Sequence, residues 1–157
     1  MTPAIELLTR LGHPFELLEY EHPPDSKDYG MSASTALGIE PQNIYKTLLW
    51  QLNTQSVVVA MVAADEQVSA KALARLAGAK RAEMLEAKKA ESLTGYLIGG
   101  ISPLGQKRTL SFYIDQVVTD LETVFVSGGQ RGLEIGLAPT LLIELTGASL
   151  GTIRQTN

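Results

Sequence analysis

The 157-residue chain contains no cysteine, which excludes disulfides and thiolate metal sites. Histidine is nearly as scarce. His13 and His22 are the only two, each just before a proline near a turn, where surface or capping roles are usual. Two histidines nine apart with no cysteine make a poor metal set, so neither metal nor cofactor is expected. Long apolar runs are also missing, since none approaches the ~18–20 residues a membrane span requires. Glu6 interrupts the first apolar group, which is unlike a secretory signal. These absences fit a cytoplasmic protein with no membrane partner.

Basic charge is in deficit overall, at a net −4, but it is not evenly spread. Lys71, Arg75, Lys80, Arg81, Lys88, Lys89, Lys107 and Arg108 face only Glu83, Glu86 and Glu91 between positions 67 and 114, a local balance of +5. The remainder stands at −9. Such segregation either lays lysines on solvated helices or presents a positive face to phosphates despite the acidic total.

The composition, 45% hydrophobic and 19% charged, is that of a globular chain with a real core, and its length suits one domain spanning 1–157. Thr2-Pro3 predicts a capped helix closed at Gly12, and Phe15–Tyr20 a strand followed by a loop to Gly30. Ser32 predicts the start of a short helix that ends at Leu37-Gly38. Ile44–Leu52 and Val57–Ala64 read as strands joined at Asn53-Thr54-Gln55, the second apolar enough to be buried on both faces. Helices are expected over Ala70–Ala77 and Glu86–Leu93, with a short strand at 80–84 between them. Strands are expected over Thr109–Asp115, Thr123–Val126 and Leu133–Leu137, and a last helix over Thr140–Leu145. Helices and strands mix without regular alternation. The fold class is therefore α+β, a mixed and mostly antiparallel, barrel-like sheet with surrounding helices.

Thr94–Arg108 (TGYLIGGISPLGQKR) is the least ordinary stretch. Gly99-Gly100 in an apolar setting implies close approach, either of another chain segment or of a ligand. The segment misses a phosphate-binding P-loop, because Gln106 separates the second glycine from Lys107 and Arg108 stands where a hydroxyl is required. Ser102 fails as a hydrolase nucleophile. The next residue, Pro103, has no N–H for an oxyanion hole. No paired acids stand at helix spacing near this stretch either. The one unusual charge is Lys46, which on a strand shares a face with Ile44, Leu48 and Trp50, while Tyr45, Thr47 and Leu49 point the other way. It either guards an edge and snorkels, or aims an ammonium into a pocket.

Taken together, YKTLL at 45–49, TGYLIGGISPLGQKR at 94–108 and VSGGQRGL at 126–133 resemble the bacterial YbaK/EbsC family of aminoacyl-tRNA deacylases, over essentially the whole chain. Among its members the sequence looks most like the Cys-tRNA(Pro) deacylases. The resemblance implies a domain like the editing domain of some prolyl-tRNA synthetases, with mischarged tRNA(Pro) as substrate, a prolyl-tRNA synthetase as a partner, and no DNA. It implies catalytic roles for Lys46, Gly99 and Gly100. It places Tyr20, Tyr29, Thr47, Ile98, Ser127, Gly128 and Glu134 in the substrate pocket. Tyr29 stands where phenylalanine is expected, and Glu134 where aspartate is common. The family is thought to use the substrate's own thiol in place of a protein nucleophile, in keeping with the missing catalytic side chains. Ala- or Ser-tRNA hydrolysis and a non-catalytic amino-acid- or tRNA-binding module are the alternatives.

Overall fold

The computed structural model describes residues 1–156. Helix α1 (Pro3–Leu11) begins as its sequence predicts: the Thr2 hydroxyl accepts from the Ile5 N–H, proline opens the first turn, and Gly12 ends the helix at φ 72°. Strand β1 (Glu16–Glu19) follows. Helix α2 (Tyr29–Leu37) starts three residues before the expected Ser32. Asp28 caps it, accepting from the Met31 N–H at 3.2 Å. Gly30 looks like a loop residue in sequence, yet it lies within the helix, and a Cβ there would stand 2.9 Å from the Ala64 Cβ. Close packing, not a turn, demands that glycine.

Strands β2 (Tyr45–Leu52) and β3 (Val57–Ala63) form the expected hairpin, with Gln55 at φ 76° in its turn. Helix α3 (Ala70–Leu76) is capped by Ser69, as expected. Strand β4 (Ala82–Met84), helix α4 (Ala87–Thr94) and strand β5 (Ser111–Asp115) come next. Strands β6 (Val124–Ser127) and β7 (Leu133–Leu137) and helix α5 (Pro139–Thr146) lie within a residue or two of their expected bounds. A last strand, β8 (Ser149–Gly151), and two 3₁₀ turns at Pro41–Asn43 and Gln116–Asp120 were not expected.

The strands form two sheets, and the barrel-like expectation gives way to this open arrangement. One is antiparallel in the order β1-β7-β6; the other is mixed in the order β4-β2-β3-β5-β8, with β3–β5 and β5–β8 parallel. Between the two, a parallel bridge from Ile44 to Phe125 sets the start of β2 beside β6.

Strand β3 lies in the middle of the larger sheet and is buried on both faces. Val59, Met61 and Ala63 enter one core with α1 residues Ala4 and Leu8, while Val58, Ala60 and Val62 enter a second with Leu73 of α3. That explains its unbroken apolar run. Among the described residues no helix is long and apolar enough to cross a membrane.

Candidate active site

The N-terminal turn of α2 brings together three of the sequence-marked residues, Lys46, Tyr29 and Gly99. Lys46, on β2, is half-buried. Its stem passes Gly30, where an added Cβ would stand 3.6 Å from the Lys46 Cγ. Its ammonium donates to the Glu66 carbonyl at 2.5 Å, which leaves two of its three donors unaccounted for. Burial pulls the lysine pKa below its ordinary value, partly offset by Asp28, Asp65 and Glu66. Lys46 is thus a desolvated cation held beside a helix start.

One residue along that turn, Tyr29 reaches the first glycine segment. Gly99 has φ 90°, and a Cβ there would lie 2.6 Å from the Tyr29 Cε1 and 2.7 Å from the Arg131 Nε. Arg131 donates from Nε to the Ile98 carbonyl at 3.0 Å, and its guanidinium carbon sits 5.0 Å from the Tyr29 ring centre. His22 stacks on the same ring, with centroids 4.6 Å apart, and its Nε2 pairs with the Ser26 carbonyl at 2.7 Å. In sequence His22 suggested only a surface or capping role, and Arg131 was not singled out. Arg131 lies inside the VSGGQRGL block, but only folding places it over Tyr29.

The two glycine-rich segments pack against each other. Gly100 faces the Gln130 backbone at a distance that leaves no room for a side chain. The bare backbone therefore serves first to let two chain segments cross, one of the two readings open in sequence. Gly128 supports the site from behind. Its N–H donates to the Leu133 carbonyl at 2.8 Å, and its carbonyl accepts from the Thr2 hydroxyl at 2.5 Å.

A second group forms on the face of the smaller sheet next to α2. Glu134 pairs in register with Leu18 and Ser127. It is 6% exposed, and one carboxyl oxygen is buried without a hydrogen-bond partner among the described residues. Desolvation raises its pKa to about 8. Burial also raises the pKa of Tyr20, and the neighbouring Glu134 adds to the shift. Tyr20 is fixed through its N–H, which donates to the Gly132 carbonyl at 2.9 Å. Ser127 accepts from the Gly129 N–H at 3.2 Å, closing the turn.

Thr47 points to the other face of β2 from Lys46, towards the core that holds Tyr45 and Leu49 and against which Ile98 packs. Its hydroxyl is buried and has no hydrogen-bond partner among the described residues. Ser102 is fully buried; its hydroxyl accepts from the Leu104 N–H at 3.2 Å and its carbonyl from Gln106 Nε2 at 3.0 Å. A solvent-starved, internally bonded hydroxyl suits a structural role. Among the described residues no group of three His, Cys, Asp or Glu is placed to hold a metal ion.

Comparison with known proteins gives a family from sequence and a fold from solved structures. A protein named as a candidate Cys-tRNA(Pro)/Cys-tRNA(Cys) deacylase, EbsC of Enterococcus faecalis, is 33% identical over 152 residues, 97% of this chain and 92% of that protein. The fold matches a crystal structure of a candidate trans-editing enzyme for prolyl-tRNA synthetase with a TM-score of 0.83, at 22% identity over 99% of both chains. It also matches a crystal structure of a hypothetical protein with a TM-score of 0.86, at 24% identity over 98% of this chain and 99% of that one. Residues 24–145, which carry Lys46, both glycine segments and Glu134, match the aminoacyl-tRNA editing domain model, and the chain belongs to that family.

Proposed function

We propose that this protein is a trans-editing deacylase that removes cysteine from mischarged Cys-tRNA(Pro), acting as a single domain over residues 1–157. The observation that carries this reading is Lys46, a desolvated ammonium with unassigned donors, at the helix start that also places Tyr29 against Gly99. Such a cation holds the 3′ end of a tRNA and stabilises negative charge as it develops on an attacked ester. Identity with EbsC over nearly the full chain supports the substrate.

Among the described residues no base is hydrogen-bonded to the Thr47 or Ser127 hydroxyl to activate it, so the nucleophile is assigned to the substrate. The cysteinyl thiol loses its proton to solvent and its sulfur attacks the ester carbonyl carbon. The carbon–oxygen bond to the ribose then breaks, the ribose oxygen takes up a proton, and a thiolactone leaves to be opened by water. The protein contributes positioning and electrostatics. Gly99 and Gly100 form a wall that brings backbone near the ester. Tyr20, Tyr29, Thr47, Ile98, Ser127 and Glu134 shape the amino-acid pocket, with Gly128 behind them. Substrate reaches this site in the cytoplasm, delivered with a prolyl-tRNA synthetase.

A panel of Cys-, Ala- and Ser-tRNA(Pro) tests the reading directly. Cys-tRNA should be cleaved and Ser-tRNA, lacking the thiol, should resist. Equal cleavage of Ser- or Ala-tRNA would overturn the thiol mechanism, and cleavage of none would favour a binding module.

A further inference from the structure

A groove of about 530 Å³ opens at the end of β2 farthest from Lys46, lined in part by Asn53, Lys71, Lys80, Arg81 and Glu83. Lys71 projects from α3, while Lys80 and Arg81 lie on the link from α3 to β4. That link is fastened to the β2–β3 hairpin. The Asn53 side-chain oxygen accepts from the N–H groups of both Lys80 and Arg81 at 2.9 Å, and the Asn53 N–H donates to the Arg81 carbonyl at 3.0 Å. Two cations are thereby held by their backbones while their side chains stay exposed. Among the described residues the one ion pair is Arg154–Asp115, so none of the three groove cations is neutralised by a carboxylate partner.

The groove lies on the same side of the larger sheet as Lys46. Lys46, Leu48, Trp50 and Leu52 alternate onto one face of β2, and Trp50 and Leu52 enter the core beneath α3. Lys46 and Leu52 are six residues apart, a span of ~20 Å along a strand. Because α3 covers Trp50 and Leu52, a long anion with its reacting end at Lys46 reaches the groove by passing over α3 and not along the strand face itself.

We infer that the groove is a second contact for the substrate, taking the sugar–phosphate backbone of the tRNA at a distance from the ester; this rests on the deacylase reading above. Three unneutralised cations against the single acid Glu83 match a polyanion in charge, on a protein whose net charge of −4 would otherwise repel one. No aromatic side chain lines the groove, so it offers nothing for bases to stack on. The contact positions the RNA and does not read its sequence. This narrows the basic residues of the +5 segment to three, leaving Arg75, Lys88, Lys89, Lys107 and Arg108 outside the contact.

The test compares wild type with the Lys71→Glu/Lys80→Glu/Arg81→Glu variant on full-length Cys-tRNA(Pro) and on a cysteinylated CCA trinucleotide. With the full tRNA the variant should show a KM raised ~10-fold or more, an unchanged kcat, and a plot of log kcat/KM against log salt flattened by about 2–3. On the trinucleotide the two proteins should be equal. Wild-type-like kinetics on full tRNA, or equal losses on both substrates in a folded variant, would overturn the groove contact. If wild type cleaves neither substrate the deacylase reading fails instead, and binding of uncharged tRNA then decides the groove alone. Weaker binding by the variant supports it, and equal binding rejects it. The milder Lys80→Ala/Arg81→Ala variant, which leaves the Asn53 bonds in place, covers the case in which charge reversal unfolds the protein.

Discussion

Gly100 and Gln130 are fitted together so closely that a Cβ on the glycine would stand 2.6 Å from the Gln130 Cα and 2.9 Å from its carbonyl carbon. Both obstructing atoms are backbone, so neither can rotate away. Gly100→Ala must therefore push the two glycine segments apart and loosen the Arg131–Ile98 bond and the Tyr29 contact at Gly99. We expect a loss of about 1–3 kcal/mol in urea melts, as in overpacked cores, together with a fall in deacylation. Gly12→Ala is the control. Gly12 sits at φ 72° with nothing within 4 Å, so its alanine should lose only about 1–2 kcal/mol to left-handed strain and keep full activity.

Lys46→Met should lower Cys-tRNA(Pro) hydrolysis by about 10²–10³-fold, the range for losing one electrostatic contact to a developing charge. The methionine keeps an apolar stem beside Gly30 and removes a desolvated cation, so the melting temperature should not fall. Activity close to wild type would remove Lys46 from the chemistry.

Ser102→Ala should leave kcat/KM within about twofold and lower stability by about 1 kcal/mol, the loss of the hydroxyl's bond with the Leu104 N–H. Complete inactivation in a variant that melts normally would restore serine as a nucleophile.

Glu134 makes stability depend on pH in a definite direction. Its carboxyl titrates near 4.5 when unfolded and about 8 when folded, so the folded state holds the proton more tightly. The stabilisation is fully present below pH 4.5 and is lost as pH rises through 8. Glu134→Gln should remove this slope and leave the variant more stable than wild type above pH 8, by roughly 2–5 kcal/mol. Chemical denaturation at pH 5, 7 and 9 measures it. Parallel curves for the two proteins would show that the carboxyl is not desolvated.

Features set by neighbours in sequence were legible without the structure. The Thr2 and Ser69 caps, the Gly12 stop and the two-sided burial of β3 follow from local hydrogen bonding and apolar pattern. Features set by distant partners were not. Strand β8 has three residues and exists because β5 pairs with it in parallel. Gly30 suggested a loop because its reason, the Ala64 side chain, lies 34 positions away. Within the candidate site, Lys46 and the glycine segments stood out as chemical oddities, whereas Arg131 and His22 gain their place only from the Tyr29 ring. Family resemblance supplied Tyr20, Thr47, Ser127 and Glu134, none of which composition or spacing would have marked.

Strand β1 finds its partner only late in the chain: Leu18 pairs with Glu134, and the Thr2 hydroxyl bonds to a carbonyl 126 residues away. During synthesis at ~5–20 residues per second, the first strand waits roughly 6 to 25 seconds before β7 leaves the ribosome. For that interval its backbone edge is open and the pocket lacks Glu134. Fold topology thus delays the site until nearly the whole polypeptide is made, and stalled fragments ending before Leu133 should remain open to proteolysis around Leu17.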